Sequence, residues 1–233
     1  MLAVITGASK GIGFAIAKTF IQQGFDLAIC SRNQKEIQEA ATQLQLINSE
    51  ACILAMACDL SKKKEVDLFA RKILETFSAV EILINNTGRY LPGNLLDEPE
   101  FQLESLIETN LYSAYHLTRK LLPNMITQKR GHIFNMSSVA ALKAYPMGGS
   151  YSISKYALEG FSKNLRAEMM PYGIKVTTIN PGATMSDSWK GSGISPERIM
   201  EADDIAAVIW NAYQLSPQAV VEEIVLRPLL GDL

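Results

Sequence analysis

Leu2-Ala3-Val4-Ile5-Thr6-Gly7-Ala8-Ser9-Lys10-Gly11-Ile12-Gly13 decides the fold of this 233-residue chain. The first five residues are an apolar run of strand length, and from 11 to 23 the apolar positions recur with helical period. The turn between the two carries three glycines spaced Gly-x3-Gly-x-Gly. Glycines there permit a tight turn and open the backbone N–H groups at a helix start to an anion, which the helix dipole also favours. The spacing differs from the commoner Gly-x-Gly-x-x-Gly, but the place is the same, straight after a strand and opening a helix. Gly7, Ser9, Lys10, Gly11, Ile12 and Gly13 are therefore expected to cradle a pyrophosphate. A glycine turn without a ligand is the alternative, and its position in the chain argues against it.

The same alternation continues to the end of the chain. Strand-like runs fall at 2–6, 26–30, 52–57, 82–85, 132–136, 175–179 and 223–226. They are almost unbroken in apolar character, as parallel strands covered on both faces must be. Helical periodicity fills 11–23, 34–47, 62–77, 100–128, 151–170 and 203–215. Gly24, Gly131 and Gly173 each stand after a helix and before a strand, the usual stop position. Asp203 and Asp204 are expected to cap the last helix. The order implies an α/β fold: a doubly wound parallel sheet of about seven strands, helices on both faces, one domain spanning 1–233. Residues 182–200, rich in Gly, Ser and Pro, are expected to form a loop with one short helix at most.

Composition narrows the function. Lysine and arginine number 22 against 24 aspartates and glutamates, for a net charge of −2. That balance argues against a nucleic-acid or anionic-membrane surface as the main partner. No apolar run approaches the roughly 20 residues of a spanning helix. The N-terminus has no basic region and runs straight into a strand, so no signal peptide is expected. Cys30, Cys52 and Cys58 fit no metal spacing, no metal is expected, and their odd number suits a reducing cytoplasm. They read as small buried apolar residues at strand ends. His116 and His132 read as structural.

The second strand ends Cys30-Ser31-Arg32-Asn33. Folds that bind NAD place an acid near this point for the ribose 2′-hydroxyl, whereas arginine suits a 2′-phosphate. Ser31, Arg32 and Asn33 stand there, with Lys10 nearby in the glycine turn, so NADP(H) is expected. Two solvated surface cations are the alternative reading. Further along, Tyr151 and Lys155 stand four apart, one face of a helix, and Ser138 lies thirteen residues before the tyrosine. A phenol titrates near ~10. A cation about 4 Å away at an effective dielectric near 20 contributes ~4 kcal/mol, roughly three pKa units, which would bring Tyr151 toward general acid–base chemistry.

Taken together, Thr6-Gly7-x3-Gly11-x-Gly13, Asp59, Asn85-Asn86-Thr87-Gly88, Asn110, Ser138, Tyr151-x3-Lys155 and Pro181-Gly182 resemble a short-chain dehydrogenase/reductase over nearly the full length. The resemblance implies the Rossmann fold and a hydride transfer between NADP(H) and a carbonyl or secondary alcohol. It places Asp59 and Leu60 at the adenine ring and Asn86, Thr87 and Gly88 along the nucleotide, Thr87 standing where the family usually has alanine. Pro181, Gly182, Thr184 and Ser186 would meet the nicotinamide carboxamide. Ser138 would hydrogen-bond the substrate oxygen, Tyr151 would exchange its proton, and Lys155 would hold the ribose hydroxyls and lower the tyrosine pKa. Asn110 would bend its helix and hold a water that relays protons to Lys155. Relatives form homodimers or homotetramers through two long helices, here 100–128 and 151–170.

Substrate choice in this fold sits in loops at the carboxyl edge of the sheet. The candidates are Arg89-Tyr90-Leu91, Ala144-Tyr145-Pro146-Met147 and 185–189. Tyr145, Met147 and Trp189 point to an apolar or flat substrate, or pack together as loop core. The Cys30–Asn33 end resembles 3-oxoacyl-carrier-protein reductases. The ending Val225-Leu226-Arg227-Pro228, and Tyr172 where those enzymes often carry arginine, depart from them and leave carbonyl or sepiapterin-type reductases open. A catalytically silent NADP(H)-binding sensor is the alternative class; such relatives usually lack the tyrosine or the lysine, and both are present.

Overall fold

Successive residues of a strand face opposite sides of its sheet, and in the first strand both sides are apolar. Ala3 and Ile5 enter one buried cluster, Leu2 and Val4 another. The strand can therefore only be central, with helices on both faces. The computed structural model, which describes residues 1–186 and 193–233, has this arrangement. Its strands are β1 (Leu2–Thr6), β2 (Asp26–Ser31), β3 (Ile53–Ala57), β4 (Ile82–Asn85), β5 (Gly131–Met136), β6 (Ile174–Pro181) and β7 (Glu223–Leu226). Its α-helices are α1 (Gly11–Gln22), α2 (Gln34–Ile47), α3 (Lys63–Thr76), α4 (Gln102–Ile107), α5 (Ser113–Gln128), α6 (Gly149–Met169) and α7 (Ala202–Tyr213).

All strand pairs are parallel, in the order β3-β2-β1-β4-β5-β6-β7. The chain steps outward from β1 to β3, then returns past β1 to lay down β4. That reversal leaves a crevice beyond the carboxyl ends of β1 and β4, where such sheets bind ligands. Ile16 of α1, Leu44 of α2 and Ile209 of α7 pack on one face. Phe69 of α3, Leu121 of α5 and Leu165 of α6 pack on the other. Each fully buried side chain of this size contributes ~1.5–3 kcal/mol.

A π-helical turn, which carries one extra residue, spans Glu108–Tyr112 and interrupts the helix expected over 100–128 at Asn110, the residue expected to bend it, whose side chain is buried. Three other local expectations change. Helix α6 starts two residues before 151, because the Glu98 carboxylate accepts the Ser150 N–H at 2.8 Å and the Ser150 hydroxyl as well. Helix α7 has Glu201 at its N-cap, so the expected capping pair Asp203 and Asp204 is replaced by Glu201 and Asp204. Asp204 caps it as expected, in a reciprocal pair in which its carboxylate accepts the Glu201 N–H at 3.1 Å. Cys30 and Cys58 are buried, but Cys52 is exposed, since β3 begins one residue later and Cys52 lies outside it.

The α1–α7 contact is aromatic. Phe20 meets Phe25, Trp210 and Tyr213 edge-on, at ring-centroid distances of 5.2, 5.4 and 6.1 Å. Phe20→Ala is expected to lower the unfolding free energy by ~3–5 kcal/mol in urea titrations; a loss below about 1 kcal/mol would show that the cluster repacks around the gap.

Candidate active site

At the crevice, the Thr6 hydroxyl donates to the Ile84 carbonyl and accepts the Asn86 and Thr87 N–H groups, the last two at 2.9 Å. The Asn86 side chain returns the contact, donating to the carbonyls of Thr6 at 2.9 Å and Gly7 at 3.1 Å. These bonds fasten the glycine turn to the end of β4. Helix α1 comes so close to that turn that a Cβ on Gly13 would lie 2.2 Å from the Gly7 carbonyl oxygen. Only a hydrogen atom fits there.

A cavity of about 1400 Å³ runs along the carboxyl edge from this turn. Gly7, Ser9, Lys10, Gly11, Ile12 and Gly13 line its middle, beside Asn86, Thr87 and Gly88. Ser31, Arg32, Asn33, Asp59 and Leu60 line the end over β2 and β3. Ser138, Tyr145, Tyr151, Lys155, Pro181, Gly182, Thr184 and Ser186 line the end over β5 and β6. Residues from nearly the whole chain thus meet in one space. Met147 does not line it; its carbonyl instead accepts the Gly93 N–H, and its backbone takes a left-handed turn (φ 64°). Trp189 lies outside the described residues. Asn110 sits behind the wall, where its Oδ1 accepts the Arg89 N–H at 2.7 Å and its Nδ2 donates to Ser154 Oγ at 2.9 Å.

Lys155 is almost completely buried, at 4% exposure, and its Nζ donates to the Met136 carbonyl at 2.9 Å. Burial pushes its pKa down to about 8. The ammonium stands 5.9 Å from the centre of the Tyr151 ring. Burial raises the Tyr151 phenol to about 12, against an opposing hydrogen bond to Ser138. The expected depression of the tyrosine by a near cation is thus reversed in the protein alone. Desolvation of the phenolate outweighs a lysine that is itself desolvated and farther away than a direct contact.

Several neighbours of these residues carry no sequence motif. Tyr90 packs edge-on against Tyr151, centroids 4.9 Å apart, and forms a wall of the cavity with Tyr145. Burial holds the Tyr145 phenol above its ordinary range. Asn180, fully buried, accepts the Ser138 N–H at 3.3 Å and donates to Glu159 Oε2 at 3.4 Å, tying Ser138 to α6. Glu36 joins the cavity beside Lys10, and Arg227 and Asp232 reach its far end. The last two arrive because Arg198 donates to the carbonyls of Leu230, Gly231 and Asp232 at 2.9–3.2 Å. Tyr90 belongs to the Arg89-Tyr90-Leu91 segment expected among the substrate loops; Asn180, Glu36 and Asp232 carry no local signal. His132 is structural: buried, stacked on Phe134 at 3.9 Å, 2.7 Å from the Thr177 hydroxyl, and pushed down to about 3 by burial.

A glycine turn opening onto a Ser, Tyr and Lys cluster through one cavity invites comparison with known proteins. Residues 1–194 match the model of the short chain dehydrogenase family. The chain belongs to that family. It is 30% identical over 228 residues to an uncharacterized oxidoreductase of Staphylococcus epidermidis, covering 98% of this chain and 97% of that one. An alcohol dehydrogenase from the archaeon Thermococcus sibiricus, complexed with 5-hydroxy-NADP, superposes with a TM-score of 0.89 at 28% identity. That match covers 98% of this chain and 96% of the other. A metagenomic short-chain oxidoreductase in complex with NADP matches with a TM-score of 0.84 at 30% identity and the same coverage. Among the described residues, no helix is long and apolar enough to cross a membrane.

A buried ammonium is costly to the fold, so Lys155 opposes stability where it sits. Lys155→Met is expected to raise the unfolding free energy by about 1–3 kcal/mol near pH 7 while abolishing turnover. Because the folded pKa is depressed, the difference should shrink as pH rises through about 8. Denaturant titrations at two pH values check both points, and a destabilised variant would contradict them.

Proposed function

We propose that the chain transfers a hydride between NADP(H) and a small carbonyl or secondary-alcohol substrate, as one domain spanning 1–233. The observation that carries this reading is the shared cavity, with the glycine turn and Arg32 toward one end and Ser138, Tyr151 and Lys155 at the other. The residues fit the nucleotide. Gly13 leaves no Cβ where α1 meets the turn, so backbone N–H groups can approach a pyrophosphate. Ser31, Arg32 and Lys10 suit a 2′-phosphate, and the NADP bound in two relatives supports the same choice. At about 1400 Å³ the cavity exceeds the ~300–1,000 Å³ of typical ligand pockets, leaving room for a dinucleotide and a small substrate.

When bound, the nicotinamide supplies or accepts the hydride. The chain's residues handle the proton and the developing negative charge on oxygen. Ser138 donates its hydroxyl to the substrate oxygen. Tyr151 gives that oxygen a proton during reduction and takes it back during oxidation. Lys155 bonds the ribose hydroxyls, and its charge favours the tyrosinate left behind. Asn110 fixes the Arg89 backbone beside Gly88 and holds Ser154, keeping the loop and α6 in register. A proton relay through Asn110 to Lys155 belongs to the same reading.

Tyr90 and Tyr145 give the substrate end an aromatic wall, which favours an apolar or flat carbonyl compound. A carrier-protein substrate is less well supported, since Tyr172 stands where a cation would meet an acidic carrier. Self-association completes the proposal: Tyr112, Ile153 and Tyr156, on the π turn and α6, are 42–45% exposed and suit a homodimer or homotetramer.

A carbonyl panel with NADPH, followed by absorbance, tests the reaction. Tyr151→Phe should lose ~10²–10⁴-fold in kcat while NADPH affinity stays within about threefold; unchanged turnover would remove Tyr151 as the proton donor. The reductive rate should be level below pH 8 and fall above it. Tyr151 remains protonated up to about 12, whereas Lys155 loses its charge near 8. A rate that rises through pH 8 to 9 would contradict this assignment.

A further inference from the structure

The sequence offers two cations, Lys10 and Arg32, to one phosphate. The structure adds a carboxylate at the same place. Glu36 lines the cavity with Ser9, Lys10, Ser31 and Arg32. Its Oε1 accepts the Lys10 ammonium at 3.4 Å, and its Oε2 accepts the Ser9 hydroxyl at 3.4 Å. The fold sets this position without help from a ligand. Asn33 Oδ1 accepts the N–H groups of Lys35 and Glu36, at 2.9 and 3.2 Å, which caps α2 and fixes its first turn. An acid in a first helical turn is also favoured by the helix dipole.

We propose that Glu36 is a cofactor-discriminating residue, whose carboxylate competes with the 2′-phosphate of NADP(H) for Lys10 and Ser9. This rests on the nucleotide reading above and deepens it. The formal charges of the Lys10, Arg32 and Glu36 side chains sum to one positive charge, not two. The phosphate must displace the carboxylate from Lys10 and then sit beside it, charge against like charge. The 2′-hydroxyl of NAD(H) meets no such repulsion and can donate a hydrogen bond to the same oxygens. The chain therefore prefers NADP(H) only narrowly and also accepts NAD(H).

Glu36→Gln removes the charge and keeps the size and an acceptor oxygen for Ser9 and Lys10. Dissociation constants for NADPH and NADH, measured by titration calorimetry at about 0.1 M salt, read the effect without turnover. NADPH binding is expected to tighten roughly five- to tenfold, and NADH binding to stay level or weaken up to about threefold. Near 1 M salt, where the screening length falls to ~3 Å, the NADPH gain should shrink to less than about twofold. In a Lys10→Met background, Glu36→Gln should give less than half of its gain, because the contested cation is gone. Weaker NADPH binding by Glu36→Gln, an equal shift for both nucleotides, or an undiminished gain without Lys10 would overturn the role of Glu36. A wild-type chain that binds neither nucleotide would overturn the nucleotide reading itself.

Discussion

The hydroxyl of Thr6 ties together β1 and β4, the parallel neighbours at which the order of the strands reverses. The evenly spaced bonds of a parallel pair set the register of β1 and β4 but not where each strand ends. Thr6 fixes those ends by accepting two N–H groups beyond β4, and Asn86 answers with two bonds to the carbonyls of β1 and its glycine turn. The crevice is thereby closed at its floor and open at its rim. A second polar seam extends the constraint inward: Asn85 donates to Thr118 and Asn135, and Asn135 donates to Ser162 of α6. Buried polar side chains of this kind cost several kcal/mol if unpaired, so they hold α5, β4, β5 and α6 in one register. The helix that carries Tyr151 and Lys155 is placed by that seam.

The site so placed is electrostatically expensive. Lys155 is buried with its charge against a backbone carbonyl, and the Tyr151 phenol is buried beside Ser138. Neither group has the proton affinity it would have in water, and the two are displaced in opposite senses. Burial penalises the ammonium and the phenolate alike, whereas proximity would favour both. Here burial wins, and the fold bears a cost at the place where chemistry is proposed, as active sites commonly do.

Most of the fold was legible because its signals are local. The seven strands and their flanking helices follow from apolar runs and helical periods that need no knowledge of neighbours. Where the reading failed, a distant residue intervened. Helix α6 starts early because Glu98, some fifty residues back, caps Ser150. The interruption expected at Asn110 takes the form of a π turn, and its side chain bonds the Arg89 backbone, twenty-one residues back. At the site, the glycine turn, Arg32, Ser138, Tyr151 and Lys155 were visible from type and spacing. Glu36 stands where a surface helix normally begins with an acid, and nothing in its own segment marks its contact with Lys10.

The sequence by itself determined the order of elements, the doubly wound class, the family, and which side chains would gather at the carboxyl edge of the sheet. These rest on hydrophobic periodicity, glycine conformational freedom and residue chemistry at short range, all properties of a contiguous segment. Only the tertiary structure decided the burial of Lys155, the high proton affinity of Tyr151, the aromatic wall at Tyr90 and the carboxylate of Glu36 against Lys10. Each of these depends on desolvation and on pairwise distances between segments that meet only once the sheet has formed, and no local pattern encodes either.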